Sequence, residues 1–180
     1  MRVISGKARG KVLKTPDGAL TRPTSDRVKE AMFSIIQFDL PGAKVLDLFG
    51  GTGQLGIEAI SRDASRAVFV DEREDACKLI RENLKRTGFE SFASVIRSDY
   101  LSYLKNCRDK FDIIFLDPPY AEVFLENAIK MITEIDILQT NGIIVAERPV
   151  GKDLSGDFSG YKRSRDYKYG NTLLTLFYKE

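Results

Sequence analysis

The amino-acid sequence predicts an α/β fold. A mostly parallel seven-stranded sheet should carry helices on both faces and end in an antiparallel C-terminal hairpin, with a small β-hairpin arm at the N-terminus. Three observations lead there. From residue 43, short apolar runs alternate with amphipathic stretches of helical period. The first run passes straight into a glycine-rich turn, FGGTGQLG (49–56). After residue 150 the alternation stops, and two strand-like runs meet at Gly170-Asn171. Repeated βαβ units imply a parallel sheet covered on both faces, whereas two runs joined by Gly-Asn pair antiparallel.

Taken in order, residues 1–20 place Val3, Ile4, Val12 and Leu13 on either side of KARGK, which reads as a short hairpin. The segment 20–40, LTRPTSDRVKEAMFSIIQFDL, gives a loop and then a helix with Val28, Met32, Ile35 and Ile36 on one side. AKVLDLF (43–49), RAVFVD (66–71), ASVIRSD (93–99), KFDIIFLD (110–117) and NGIIVAE (141–147) are the five strands of the alternating region. Between them lie helices at 53–63, 73–88, 100–106 and 123–138; the second ends at Gly88, a stop signal. GYKRSRDYKYG and NTLLTLFYKE supply the last two strands. Residues 1–40 are expected to act as an arm and helix, and 41–180 as the main domain, of one structural unit.

Composition narrows the chemistry. With 180 residues, 43% apolar and 30% charged, the chain fits one soluble globular domain. No apolar run approaches the ~20 residues of a membrane span, and the N-terminus lacks an apolar signal-like region. Cys77 and Cys107 show no metal-ligand spacing, so free thiols, a cytoplasmic setting and no metal site are expected. There is no histidine, which removes Ser–His–Asp and Cys–His catalysis. The net charge is +2, unevenly placed: residues 1–14 hold five Lys/Arg and no acid, while 31–150 hold 14 basic and 19 acidic residues. The stretch 161–170 has four Lys/Arg and three tyrosines. Charge alone favours solvated ends; interleaved tyrosines move the second patch towards nucleic acid.

Gly51, Gly53 and Gly56 fit G-x-G-x-x-G, and Asp71 ends the next strand 20 residues after Gly51, so a dinucleotide site is one candidate. Asp47 separates the cofactors. It stands two residues before the glycines, where a carboxylate repels a pyrophosphate but suits a ligand bearing an ammonium. S-adenosyl-L-methionine has that ammonium, a ribose diol for Asp71 and an adenine amine for Asp99. Phe49, Gly50, Gly51, Gly53, Glu72 and Tyr100 complete the expected cofactor set. Asp99 also reads as the N-cap of the helix at 100–106. The fourth strand ends in DPPY. Two prolines fix the backbone, so the Asp117 carboxylate and the Pro118 carbonyl are held as acceptors beside the Tyr120 ring. That trio suits a planar group with an exocyclic amine, and methyl transfer to such an amine needs alignment more than a strong base.

VLDLFGGTGQLGIEA followed by DPPY resembles the Rossmann-like class I S-adenosylmethionine-dependent amino-methyltransferases. MRVISGKARGKVL, RPTSDRVKEAMFSII, LDPPY and YGNTLLTLFYKE narrow the resemblance to the RsmD family, bacterial 16S ribosomal RNA guanine-N2 methyltransferases, over nearly the whole chain. The resemblance implies that Arg22, Thr24 and Arg27 line the cofactor pocket and the entrance for the base. Read alone, that stretch is an ordinary helix start. It further implies that Arg2, Lys7, Arg9, Lys11 and Lys14 hold RNA phosphates, with Lys162 and Arg163 extending the surface. The expected product is S-adenosyl-L-homocysteine and the expected partner 16S rRNA in the small ribosomal subunit. An arm of this size binds weakly unless shape adds specificity, so a folded ribonucleoprotein substrate and a monomeric enzyme are expected. The competing readings are an adenine-N6 methyltransferase on DNA or RNA, an NAD-binding oxidoreductase, and a non-catalytic RNA-binding module.

Overall fold

The computed structural model describes residues 1–16, 25–118, 122–156, 158 and 160–179, with nothing to be said of the side chains of Glu122 and Val123. The elements are α1 (Asp26–Ile35), β1 (Lys44–Asp47), α2 (Gln54–Ser61), β2 (Arg66–Asp71), α3 (Glu74–Thr87), β3 (Ala93–Arg97), α4 (Tyr100–Asn106), β4 (Phe111–Leu116), α5 (Glu122–Ile135), β5 (Leu138–Pro149), β6 (Tyr161–Arg163), β7 (Tyr167–Tyr169) and β8 (Thr172–Lys179). The sheet order is β3-β2-β1-β4-β5-β8-β6, and β7 also pairs with β8. The first five strands run parallel, and β8 lies antiparallel to β5, β6 and β7.

Strand alternation divides the core into two layers. Val45, Phe69, Ile113, Phe115 and Val145 face α1, α2, α3 and the N-terminal arm. Leu46, Val68, Val70, Ile114, Leu116 and Ala146 face α4 and α5. Helix α2 packs so closely that a Cβ built on Gly56 would lie 2.3 Å from the Phe69 ring. Gly56→Ala is therefore expected to cost roughly 1–3 kcal/mol through overpacking, read as a lower urea midpoint; an unchanged midpoint would refute the contact.

Two expectations are corrected. Helix α5 stops at Ile135, not Leu138, because Asp136 turns to positive φ and is held by Lys110 and Lys179. The chain then enters β5 at Leu138, opposite Phe111, with a register shift before Ile143. The run 160–170 is two short strands: Ser164 bonds Leu176 at the break, and Asp166 turns to the Arg148 guanidinium (2.5 Å) and the Thr175 hydroxyl (2.6 Å). The sheet so gains an eighth segment without gaining a new position, since β6 and β7 both lie along β8. The N-terminal arm is the short hairpin expected: Arg2 bridges Val12, the Val3 and Leu13 N–H groups bond the Lys11 and Met1 carbonyls, and side chains of α2 and α3 fasten it.

Helix α3 ends as read: Gly88 adopts positive φ and its N–H bonds the Leu84 carbonyl. Both cysteines are buried free thiols. Among the described residues no helix is long and apolar enough to cross a membrane.

Candidate active site

The carboxyl ends of the parallel strands, where such sheets bind ligands, carry a row of acids. In sheet order these are Asp99 after β3, Asp71 ending β2, Asp47 ending β1 and Asp117 after β4. Asp47 is the most confined, 2% exposed, and among the described residues accepts the Gly56 N–H, at 3.2 Å. Burial pushes its carboxyl up to about 8, the Gly56 bond opposes this, and the charges of Asp117 and Asp71 add to it. No Lys or Arg among the described residues forms an ion pair with it.

The loop after Asp47 is a tight turn. The Gly50 N–H reaches the Val70 carbonyl (2.8 Å) and the Gly53 N–H the Gly50 carbonyl (2.7 Å). Gly51 and Gly53 take φ of 54° and 78°, a region that side-chain-bearing residues avoid. Asp71 buttresses this loop, accepting the Gly51 N–H on one oxygen and the Arg73 N–H on the other, both at 2.9 Å. Glu72 is exposed beside it. Asp99 caps α4 through the Ser102 N–H (2.9 Å), and that bond holds its carboxyl below the usual range.

An aromatic group unread in the sequence flanks the row. The Tyr100 ring lies 5.4 Å from Phe49 and 5.7 Å, edge-on, from Phe124. Asp117 and Pro118 are half-buried at the end of β4. Tyr120, Arg22 and Thr24 lie outside the described residues.

The basic residues divide. Arg2 pairs with Asp26 (3.4 Å), Lys7 with Asp63 (2.7 Å) and Lys14 with Glu82 (3.0 Å). Lys11 donates to the Arg86 and Thr87 carbonyls at the end of α3. Arg163 donates to the Leu154 carbonyl (2.9 Å). Arg9, Arg27 and Lys162 are exposed and have no side-chain partner among the described residues. The arm sits over α2 and α3, while β6 and β7 lie along β8 beyond β4 and β5. Arg165, not singled out in the sequence, lies over the Tyr167 ring at 5.1 Å.

S-adenosylmethionine fits these groups. A buried carboxylate without a cation suits its ammonium, the turn of glycines admits its chain against the backbone, and the Phe49–Tyr100–Phe124 group offers an apolar aromatic flank. A dinucleotide would bring its pyrophosphate towards Asp47, a like charge.

Residues 1–178 match the model of the family described as Conserved hypothetical protein 95. The chain belongs to this family. It is 38% identical over 182 residues, 99% of each chain, to YlbH of Bacillus subtilis (strain 168). It is 31% identical over 180 residues to "Ribosomal RNA small subunit methyltransferase D" of Escherichia coli (strain K12), covering 100% of this chain and 90% of that one. The solved Escherichia coli chain yhhF superposes with a TM-score of 0.91 at 29% identity, over 100% and 98% of the two chains. Family membership agrees with the resemblance to RsmD proteins read from the motifs.

Proposed function

We propose that this protein transfers a methyl group from S-adenosyl-L-methionine to the exocyclic N2 amine of a guanine in 16S ribosomal RNA, within the small subunit or an assembling form of it. The observation that carries the reading is the pairing of two unlike acids at neighbouring strand ends. Asp47 is sealed and wants a cation; Asp117 and Pro118, next to it across β1 and β4, present acceptors at the opening. The relatives named as ribosomal RNA methyltransferases support the RNA substrate.

When bound, the cofactor supplies a methyl group on a sulfonium, open to in-line displacement by an amine. Asp117 and the Pro118 carbonyl accept the amine's two N–H bonds, which turns its lone pair towards the methyl. The amine becomes acidic only as it is alkylated, and Asp117 is placed to accept the released proton. Asp47, ionised once the ammonium is beside it, fixes the other end of the cofactor. This division of labour needs no histidine.

The arm's ion pairs are exposed and exchangeable, and an arm of this size binds phosphates weakly unless shape adds specificity, which supports a folded particle as substrate. The test is labelled methyl transfer to small subunits from cells lacking this protein, followed by nucleoside mass spectrometry. Wild-type protein is expected to form N2-methylguanosine, and Asp117→Ala to lose about 10²- to 10³-fold in kcat with cofactor affinity retained. Label in N6-methyladenosine would overturn the base assignment. Equal rates on naked 16S RNA and on particles would overturn the substrate form.

A further inference from the structure

We propose that Glu147 is a specificity-determining residue that accepts the N1–H of the target guanine, beside Asp117 on the N2 amine. This rests on the guanine-N2 reading above. Leu116 and Ala146 are the last registered pair between β4 and β5, so the next residues, Asp117 and Glu147, stand abreast at neighbouring strand ends. Adjacent strands lie about 4.8 Å apart.

The face is fixed by alternation. Ile143 and Val145 face the layer of α1 and α2, and Glu147 continues that phase within a regular strand, opposite Leu174, which lies in the same layer. Asp117 follows Phe115 of that layer, and its charge is felt at Asp47. Both acids therefore stand on the face that carries the cofactor loop, and both are half-buried at its rim.

The strand end beneath Glu147 is rigid. Arg148, on the other face, is buried and bonds Asp166 (2.5 Å), the Thr175 hydroxyl (3.4 Å) and the Lys152 carbonyl. Such a support fixes the backbone from which the Glu147 side chain projects.

The chemistry selects guanine. Its Watson–Crick edge presents two neighbouring donors, N1–H and N2–H2. Two carboxylates abreast accept both. Adenine presents one amine and, at N1, a lone pair; a carboxylate set against that lone pair is repelled and loses its partner. Asp117 alone serves either amine, so the second acceptor supplies the discrimination. Glu147 transfers no proton.

The experiment uses full-length protein and small subunits reconstituted with 16S RNA carrying guanosine or 2-aminopurine at the methylated position mapped with wild-type enzyme. 2-Aminopurine keeps the amine and lacks N1–H. Wild type is expected to lose about 10²-fold in kcat/KM on 2-aminopurine. Glu147→Ala should lose as much on guanosine and nothing further on 2-aminopurine, because both changes delete the same hydrogen bond. Glu147→Gln, isosteric and still an acceptor, should fall between. Cofactor affinity should be unchanged throughout. Losses that multiply, a Glu147→Ala rate equal to wild type, or a parallel loss of cofactor binding would overturn the role of Glu147 while leaving guanine methylation standing. Wild-type label on adenine N6, or no transfer to subunits at all, would refute the guanine reading and this proposal with it.

Discussion

Asp47→Asn is expected to yield a protein that is harder to unfold at neutral pH and no longer binds S-adenosylmethionine. In the folded chain the Asp47 carboxyl is held at about 8, chiefly by burial; in the unfolded chain it titrates near 4. Between those values the folded state keeps a proton that the unfolded state has lost. Stability from this group therefore falls as pH rises from about 4 to about 8 and is flat above, a loss on the order of 4 kcal/mol by pH 7. Asparagine keeps an acceptor for the Gly56 N–H and has no charge to bury, so the variant should lack this slope and match wild type only at or below about pH 4. The cofactor's ammonium needs the ionised form. Binding at pH 7 should then release close to one proton from wild type, seen as a buffer-dependent heat in titration calorimetry. Undiminished affinity in Asp47→Asn would sink the assignment.

The strand ends were legible because a parallel strand buried on both faces must be a short apolar run, and an acid at its end stands out against it. Asp47, Asp71, Asp99 and Asp117 were found that way, and the sheet order sets them side by side. Their partners were harder to read. Asp71 was assigned to a ribose, but the structure shows what the linear pattern hides, that it also ties the glycine loop through Gly51. Phe49, Tyr100 and Phe124 meet only because three different strand ends converge. ITEIDIL has both helical and strand phase, and tertiary pairing of Leu138 with Phe111 decided for the strand. The family resemblance, not charge, implies that the arm's lysines hold phosphates, and sequence spacing carries no sign of Asp63 or of the end of α3 as their neighbours. Helical periodicity puts charged residues outside, so it hid Lys29 and Glu58, both fully buried.

Those two residues yield the largest expected effect on stability. Glu58 of α2 accepts the Ile4 N–H (2.8 Å), the Ser5 N–H (3.0 Å) and Arg62 Nε (2.9 Å), and Lys29 Nζ stands 3.7 Å away. Lys29 donates to the Arg2 carbonyl at 2.6 Å. Burial lowers the lysine's pKa and Glu58 counters it. Glu58→Ala would strand an ammonium and two backbone donors in a dry site, a loss of about 3–5 kcal/mol. Lys29→Met should cost less, since Glu58 keeps Arg62 and both arm N–H groups. Urea midpoints give the order of the two variants, and amide exchange at Ile4 and Ser5 should accelerate most in Glu58→Ala. An unchanged midpoint in Glu58→Ala would show the cluster to be energetically idle. Helix α2 follows its N-cap Gly53 and bonds Asp47 through Gly56, so Glu58 joins the arm to the element that shapes the cofactor loop. If Glu58→Ala frees the arm yet leaves cofactor affinity intact, the clasp serves the arm alone. A loss of both would mean that the arm braces the loop as well as covering it.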